Sequence, residues 1–180
     1  AQIPGGVPNI QDIYALSPLQ EGMLFHRLLD DGDDPYTSVT ALRFDNADAL
    51  DRYVKVLQQH IDRHDSLRTS IHYEGLQEPV QVVWREAELE VETVPGYLTD
   101  EQLHEYTHEQ GLNIGKAPLM RLVVNACENG EYIARLVSHH LVADNVSAEI
   151  LKQEALASEE ERQGFKAAVP FRNVIARYQI

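Results

Sequence analysis

Apolar positions recur along the chain with two different spacings, which predict helices and strands in alternation. The clearest helix follows Asn46 and carries apolar residues at helical spacing: Leu50, Tyr53, Val54, Leu57 and Ile61. Runs rich in β-branched residues predict strands at 36–44, 80–84 and 89–94. Alternation of this kind predicts an α/β or α+β sandwich in which helices cover a sheet.

Capping residues locate the start of two more helices. Ser17-Pro18-Leu19-Gln20 is a capping box with proline in the first helical position, which predicts a helix at 18–29. An acidic turn at 30–35 follows that helix. Thr99 and Gln102 have the spacing of a second capping box.

The strongest hairpin signal lies in the second half of the chain. Asn129-Gly130 separates the apolar runs 119–127 and 132–140, which predicts two antiparallel strands. Both runs are apolar on both faces, so we expect them in the middle of a covered sheet. A helix at 146–157 and a polar loop at 158–168 are predicted next.

Charge and composition narrow the class of protein. Fifteen basic and twenty-nine acidic residues give a net charge of −14, which argues against a nucleic-acid partner. No apolar run has the length of a membrane span, and a single cysteine, Cys127, excludes an internal disulfide. We therefore expect a cytoplasmic protein without a membrane partner. The Pro/Gly-rich start at Ala1 and the end at Ile180 suggest a piece of a longer chain.

Ser138-His139-His140-Leu141-Val142-Ala143-Asp144 lies where the last predicted strand gives way to a helix. Strand geometry sends the two imidazoles to opposite faces, so one histidine is free to serve as a base while its neighbour packs in the core. Asp144 orients a histidine or pairs with an arginine. Adjacent strand residues diverge and no further strong ligand is present, which disfavours a metal site. Ser138 lacks a nucleophile elbow, which disfavours a catalytic triad.

Four segments in the same order resemble the condensation domains of nonribosomal peptide synthetases. The segment at 139–144 resembles their His-His-x-x-x-Asp-Gly signature, with Asn145 in place of the glycine. YALSPLQEGMLFH at 14–26 resembles the opening motif, and RHDSLRT at 63–69 resembles the second motif. PFRN at 170–173 resembles the segment that leaves the first lobe.

This resemblance implies a fold class and a set of site residues. The fold is an α/β lobe like that of chloramphenicol acetyltransferase, with a mixed sheet and flanking helices. The resemblance makes His140 the catalytic residue and His139 structural. Asp144 is expected to pair with Arg68, with Arg63 as the alternative partner. The backbone N–H of Asn145 is retained and is placed to polarise a thioester carbonyl.

The same resemblance implies domain boundaries, partners and alternatives. We expect a linker at 1–11, the N-terminal lobe at 12–168 and a crossover at 169–180 toward a missing C-terminal lobe, without which the piece is inactive. Upstream and downstream peptidyl carrier domains are the expected partners, and their phosphopantetheine arms are the only cofactor. The form SPLQEGMLFH favours a donor that ends in a D-residue. A silent carrier-docking or gating module and an epimerisation-domain fragment remain alternatives.

Overall fold

Two β-sheets and their helices account for most of the described residues, which are 7–29, 34–142 and 170–175 in this computed structural model. The strands are β1 (Ile10–Ala15), β2 (Thr37–Phe44), β3 (Thr69–His72), β4 (Val80–Trp84), β5 (Glu90–Val94), β6 (Met120–Ala126) and β7 (Tyr132–His139). The helices are α1 (Pro18–Leu29), α2 (Ala47–Arg63), α3 (Asp100–Glu109) and the short α4 (Arg172–Ile175). Single 3-10 turns occur at Val7–Asn9 and Asp65–Arg68.

The larger sheet has the strand order β2-β7-β6-β5 and is mixed. β5 runs parallel to β6, whereas β6–β7 and β7–β2 are antiparallel. The hairpin of β6 and β7 therefore occupies the centre, and six of the seven residues of β6 are buried. This confirms the prediction that two strands apolar on both faces lie inside a covered sheet.

The smaller sheet is antiparallel and has the order β1-β4-β3. Its two outer strands, β1 and β3, were not predicted from the sequence. β1 begins at Ile10, within the stretch that we expected to be a linker, and its pairing with β4 is irregular between Ile10 and Asp12. The 3-10 turn and β3 are formed by the RHDSLRT segment and the residues that follow it.

The predicted starts of three helices are confirmed by side-chain caps. In α1 the Ser17 N–H donates to Gln20 Oε1 at 2.9 Å, and the Gln20 N–H donates to Ser17 Oγ at 3.2 Å. Asn46 accepts a backbone N–H from the first turn of α2, and Thr99 with Gln102 forms a complete capping box on α3. These bonds satisfy N–H groups that a helix start otherwise leaves without a partner.

Helices cover both faces of the larger sheet. Apolar residues of α2 pack against even-numbered positions of β6, whereas Leu103 of α3 packs against Val123 and Ile133 on the opposite face. A third cluster joins α1 to the end of β7, where Leu24 packs with Val137 and Leu141. This last cluster fixes the position of α1 beside the turn that carries the paired histidines.

The segment at 170–175 docks on the smaller sheet and the neighbouring 3-10 turn. The Phe171 N–H donates to both carboxylate oxygens of Asp65, at 3.2 and 3.3 Å, and Arg172 Nη1 lies 3.0 Å from Asp12 Oδ2. The predicted helix at 146–157 and the loop at 158–168 lie outside the described residues. In the ranges that are described, no helix is both long enough and apolar enough to cross a membrane.

Candidate active site

The two adjacent histidines occupy different environments at the end of β7. His139 is the last residue of the strand and lies on its fully buried face with Val137, Arg135 and Ile133. His140 begins the following turn and is half-buried. Because successive strand positions alternate between faces, the burial of one imidazole leaves the next one directed elsewhere.

Both ring nitrogens of His139 are occupied. Its Nδ1 accepts the backbone N–H of Leu141 at 3.0 Å, and its Nε2 lies 2.8 Å from Asp34 Oδ2. Burial lowers the pKa of His139 below the ordinary value, although the carboxylate of Asp34 acts in the opposite direction. The imidazole is therefore neutral near pH 7.

Asp34 is a site residue that sequence reasoning missed. Burial by itself raises its pKa, but hydrogen bonds from the Tyr36 N–H, His139 and Arg27 outweigh burial and hold the pKa below the ordinary value. The Tyr36 N–H donates to Oδ1 at 3.0 Å, while Arg27 Nη1 and His139 Nε2 share Oδ2. Asp34 lies 105 residues before His139, so the acidic turn gave no local sign of this contact.

Backbone hydrogen bonds hold the turn on both sides of His140. The His140 N–H donates to the carbonyl of Tyr36 at 2.9 Å, and the Val142 N–H donates to the carbonyl of His139 at 3.3 Å. The carbonyl of Leu141 accepts Gln20 Nε2 at 2.9 Å. Tyr36, the residue before β2, and Gln20 of α1 therefore both hold the turn in place. Within the described residues, the His140 ring itself has no hydrogen-bond partner.

Gln20 has a second role that the capping box did not reveal. Its carboxamide forms a reciprocal pair with that of Gln81, with N···O distances of 3.1 and 3.3 Å, and both side chains are buried. Gln81 Nε2 also donates to the carbonyl of Ala15. This pair connects α1 with the central strand of the smaller sheet.

The remaining predicted site residues are only partly described. Arg68 is buried, and its guanidinium donates to the carbonyls of Ile61 and Trp84 and to Gln11 Oε1. Arg63 is the half-buried last residue of α2. Asp144 and Asn145 lie outside the described residues, so the pairing of Asp144 with Arg68 or Arg63, and the role of the Asn145 N–H, stay predictions.

Acidic, histidine and cysteine side chains do not gather into a metal site in the described part of the chain. No group of three or more of them is arranged to hold an ion there. The described site therefore consists of a half-buried imidazole, His140, next to a buried imidazole, His139, whose two ring nitrogens are hydrogen-bonded.

Comparison with known proteins assigns the family. A family model described as condensation domain matches residues 10–163. Malpinin synthetase of Mortierella alpina is 41% identical over 186 residues, which cover 99% of this chain and 2% of that protein.

Solved structures share the fold. A four-domain nonribosomal peptide synthetase in its holo form, bound to AMP and glycine, superposes with a TM-score of 0.72 at 18% identity, over 94% of this chain and 13% of that one. The starter condensation domain of rhizomide synthetase gives 0.67 at 17% identity, over 94% and 46%. The predicted α/β lobe is thereby confirmed, and the chain spans less than half of that solved condensation domain. The family match extends over residues 10–163, well over half of the sequence, and shows that this chain belongs to the condensation domain family.

Proposed function

We propose that the chain forms the histidine-bearing lobe of a condensation domain that joins two carrier-tethered aminoacyl groups through a peptide bond. The observation that carries this proposal is the contrast between adjacent imidazoles. His139 has both ring nitrogens occupied inside the core, whereas the ring of the half-buried His140 forms no hydrogen bond with a described residue. A group that exchanges a proton with a substrate needs an accessible lone pair, which favours His140.

In the proposed reaction, the amine of an acceptor attacks the carbonyl carbon of a donor thioester. A C–N bond forms, the C–S bond breaks, and the amine proton leaves as the thiol is released. A ring nitrogen of His140 accepts this proton or holds the amine in position for attack. The backbone N–H of Asn145 polarises the carbonyl as negative charge develops on its oxygen.

Partners supply what this lobe lacks. Peptidyl carrier domains upstream and downstream present the two thioesters on phosphopantetheine arms, so the chain needs no covalent cofactor of its own. A C-terminal lobe would form a substrate cleft together with the histidine turn of this lobe, in keeping with the greater length of the solved condensation domain. Asp144 is structural in this proposal and is paired with Arg68.

The test compares histidine variants in a complete condensation domain that contains this lobe. Two loaded carriers are mixed with the domain, and dipeptidyl product is followed by mass spectrometry. His140→Ala should lower the rate by about 10²–10⁴-fold, the usual contribution of a positioned acid or base. His104→Ala, which removes an exposed histidine of α3, is the matched control and should leave the rate unchanged.

The assignment is wrong if His140→Ala keeps the wild-type rate while His139→Ala folds normally and abolishes turnover. Binding of loaded carriers without any product would instead support a silent docking or gating module. Stereoinversion of a bound aminoacyl group without peptide-bond formation would support an epimerisation fragment. Parallel reactions with donors that end in a D- or an L-residue test the donor preference that the SPLQEGMLFH form favours.

A further inference from the structure

The hydrogen bonds of His139 define its tautomer. A backbone N–H can only donate, so the contact from Leu141 requires a lone pair on His139 Nδ1. The remaining nitrogen, Nε2, must then carry the proton of the neutral ring and donate it to Asp34 Oδ2 at 2.8 Å. His139 is therefore held as the Nε2–H tautomer, with no lone pair left for a substrate.

The two oxygens of Asp34 act on the two sides of His140. Oδ2 accepts from His139, whose Nδ1 fixes the N–H of Leu141, the residue after His140. Oδ1 accepts the N–H of Tyr36, whose carbonyl receives the His140 N–H. One carboxylate thus determines the position of the backbone immediately before and after the proposed catalytic residue.

Arg27 explains why His139 stays neutral although the carboxylate of Asp34 lies beside it. Its Nη1 contacts the same Oδ2 of Asp34, and its Nη2 donates to the carbonyl of Leu112 at 3.1 Å. The positive charge of Arg27 compensates Asp34 and opposes a second positive charge on His139. Arg27 and the neighbouring His140 both lower the pKa of His139.

We propose that Asp34 is a positioning residue that, together with Arg27, locks His139 as the neutral Nε2–H tautomer and thereby fixes the turn that presents His140. This inference rests on the proposed role of His140. Asp34 touches no substrate in this scheme and acts only through His139 and Tyr36.

The decisive variant is Asp34→Asn, which keeps the size of the side chain and changes its hydrogen-bonding. If the amide oxygen keeps the Tyr36 N–H, the NH₂ group faces His139 Nε2 and favours the other tautomer, whose Nδ1–H opposes the N–H of Leu141. If the amide is flipped, the NH₂ group opposes the Tyr36 N–H instead. Either arrangement loosens the turn. Asp45→Asn, the same change at an exposed position, is the matched control.

Two readouts are needed. Long-range ¹H–¹⁵N spectra of the chain, with His139 assigned by its loss in His139→Gln, should show Nε2–H in the wild type and a changed ring state in Asp34→Asn. In the complete domain, Asp34→Asn should lower kcat by about 10²-fold with an unchanged KM for the carriers, as expected for a small misplacement of a reacting group. Asp45→Asn should change neither.

A second pair of variants covers the case in which Asp34→Asn does not fold. Arg27→Gln should raise the pH midpoint of the His139 titration, whereas Arg27→Lys, which keeps the charge, should leave it close to the wild type. A wild-type His139 that carries its proton on Nδ1, or on both nitrogens near pH 7, overturns the proposal. The proposal is also overturned if the Asp34→Asn domain folds and keeps the wild-type kcat, while a separate His140→Ala variant of the same domain loses turnover. If His140→Ala keeps turnover, the proposed role of His140 has failed, and the spectra still decide whether Asp34 sets the tautomer.

Discussion

Replacing Gln20 by leucine removes the side chain that connects α1 to the turn after His140. Gln20 is 4% exposed, and its Nε2 donates to the carbonyl of Leu141 at 2.9 Å. Its carboxamide also pairs with Gln81, and its Oε1 accepts the N–H of Ser17. Leucine has a similar volume, so the substitution tests these hydrogen bonds without opening a large cavity.

The expected loss follows from the groups that are left buried without a partner. The Leu141 carbonyl and the Gln81 carboxamide each lose a bond in the core, at about 1–3 kcal/mol for each group. Gln81 keeps its bond to the carbonyl of Ala15, and the Ser17 N–H lies near the surface, where water replaces its partner. We therefore expect the free energy of unfolding to fall by about 2–6 kcal/mol, a large part of the roughly 5–15 kcal/mol typical of a domain.

Urea denaturation of the chain, followed by circular dichroism, measures this loss. Gln81→Leu is the matched control, because it removes the same amide pair and leaves the bond from Gln20 to Leu141. The double variant should lose less than the sum of the single variants, since neither amide is then stranded. In the complete domain, kcat should fall further for Gln20→Leu than for Gln81→Leu. A Gln20→Leu chain within about 0.5 kcal/mol of the wild type, the range of a surface substitution, would refute the reasoning.

Three further predictions concern the proposed pair of Asp144 and Arg68, the pH dependence of stability and the activity of the isolated lobe. Arg68→Ala and Asp144→Ala should each lower the free energy of unfolding by about 3–5 kcal/mol, and additive losses in the double variant would exclude the pair. Folding lowers the pKa values of both His139 and Asp34. The stabilisation that each group contributes is therefore complete above its ordinary pKa, about 6.5 for histidine and about 4 for aspartate, and is lost as the pH falls below that value. Denaturation should therefore show stability decreasing on acidification, and constant stability down to about pH 4 would contradict this. The 180-residue chain alone should form no dipeptide from two loaded carriers, because the proposed C-terminal lobe that would help to position the substrates is not part of it. Product detected by mass spectrometry would contradict this.

Local signals in the sequence were sufficient for much of the fold. The helix predicted at 18–29 and the strand predicted at 80–84 coincide with α1 and β4, because a capping box and a β-branched run are properties of neighbouring residues. Strands β1 and β3 were missed because these segments become strands by pairing with β4, and not because of a local pattern in their own residues. β1 lies about seventy positions before its partner and follows a Pro/Gly-rich stretch, and β3 has only four residues.

The candidate site was predictable only in part, for the same reason. The paired histidines are adjacent in the chain, and strand alternation was enough to predict that their side chains separate. Asp34 and Gln20 reach the histidine turn across 105 and 121 residues. Neither has a periodicity that points to the turn, and Gln20 already had a local explanation as part of a capping box. Contacts of this range depend on how the sheet and α1 pack together, which a single sequence does not specify.

The choice of histidine at position 139 follows from two opposite requirements in the core. The N–H of Leu141 needs an acceptor, and the carboxylate of Asp34 needs a donor. A neutral imidazole offers one of each on opposite sides of a rigid ring. An apolar side chain would leave the buried Leu141 N–H unpaired, at about 1–3 kcal/mol, and would leave Asp34 with only Arg27 and the Tyr36 N–H as donors. An ionised imidazole would present a donor to the Leu141 N–H, so His139 must stay neutral for the turn to hold. The His140 ring forms no hydrogen bond with a described neighbour, which is why the proposed exchange of a proton with the substrate is assigned to it and not to His139.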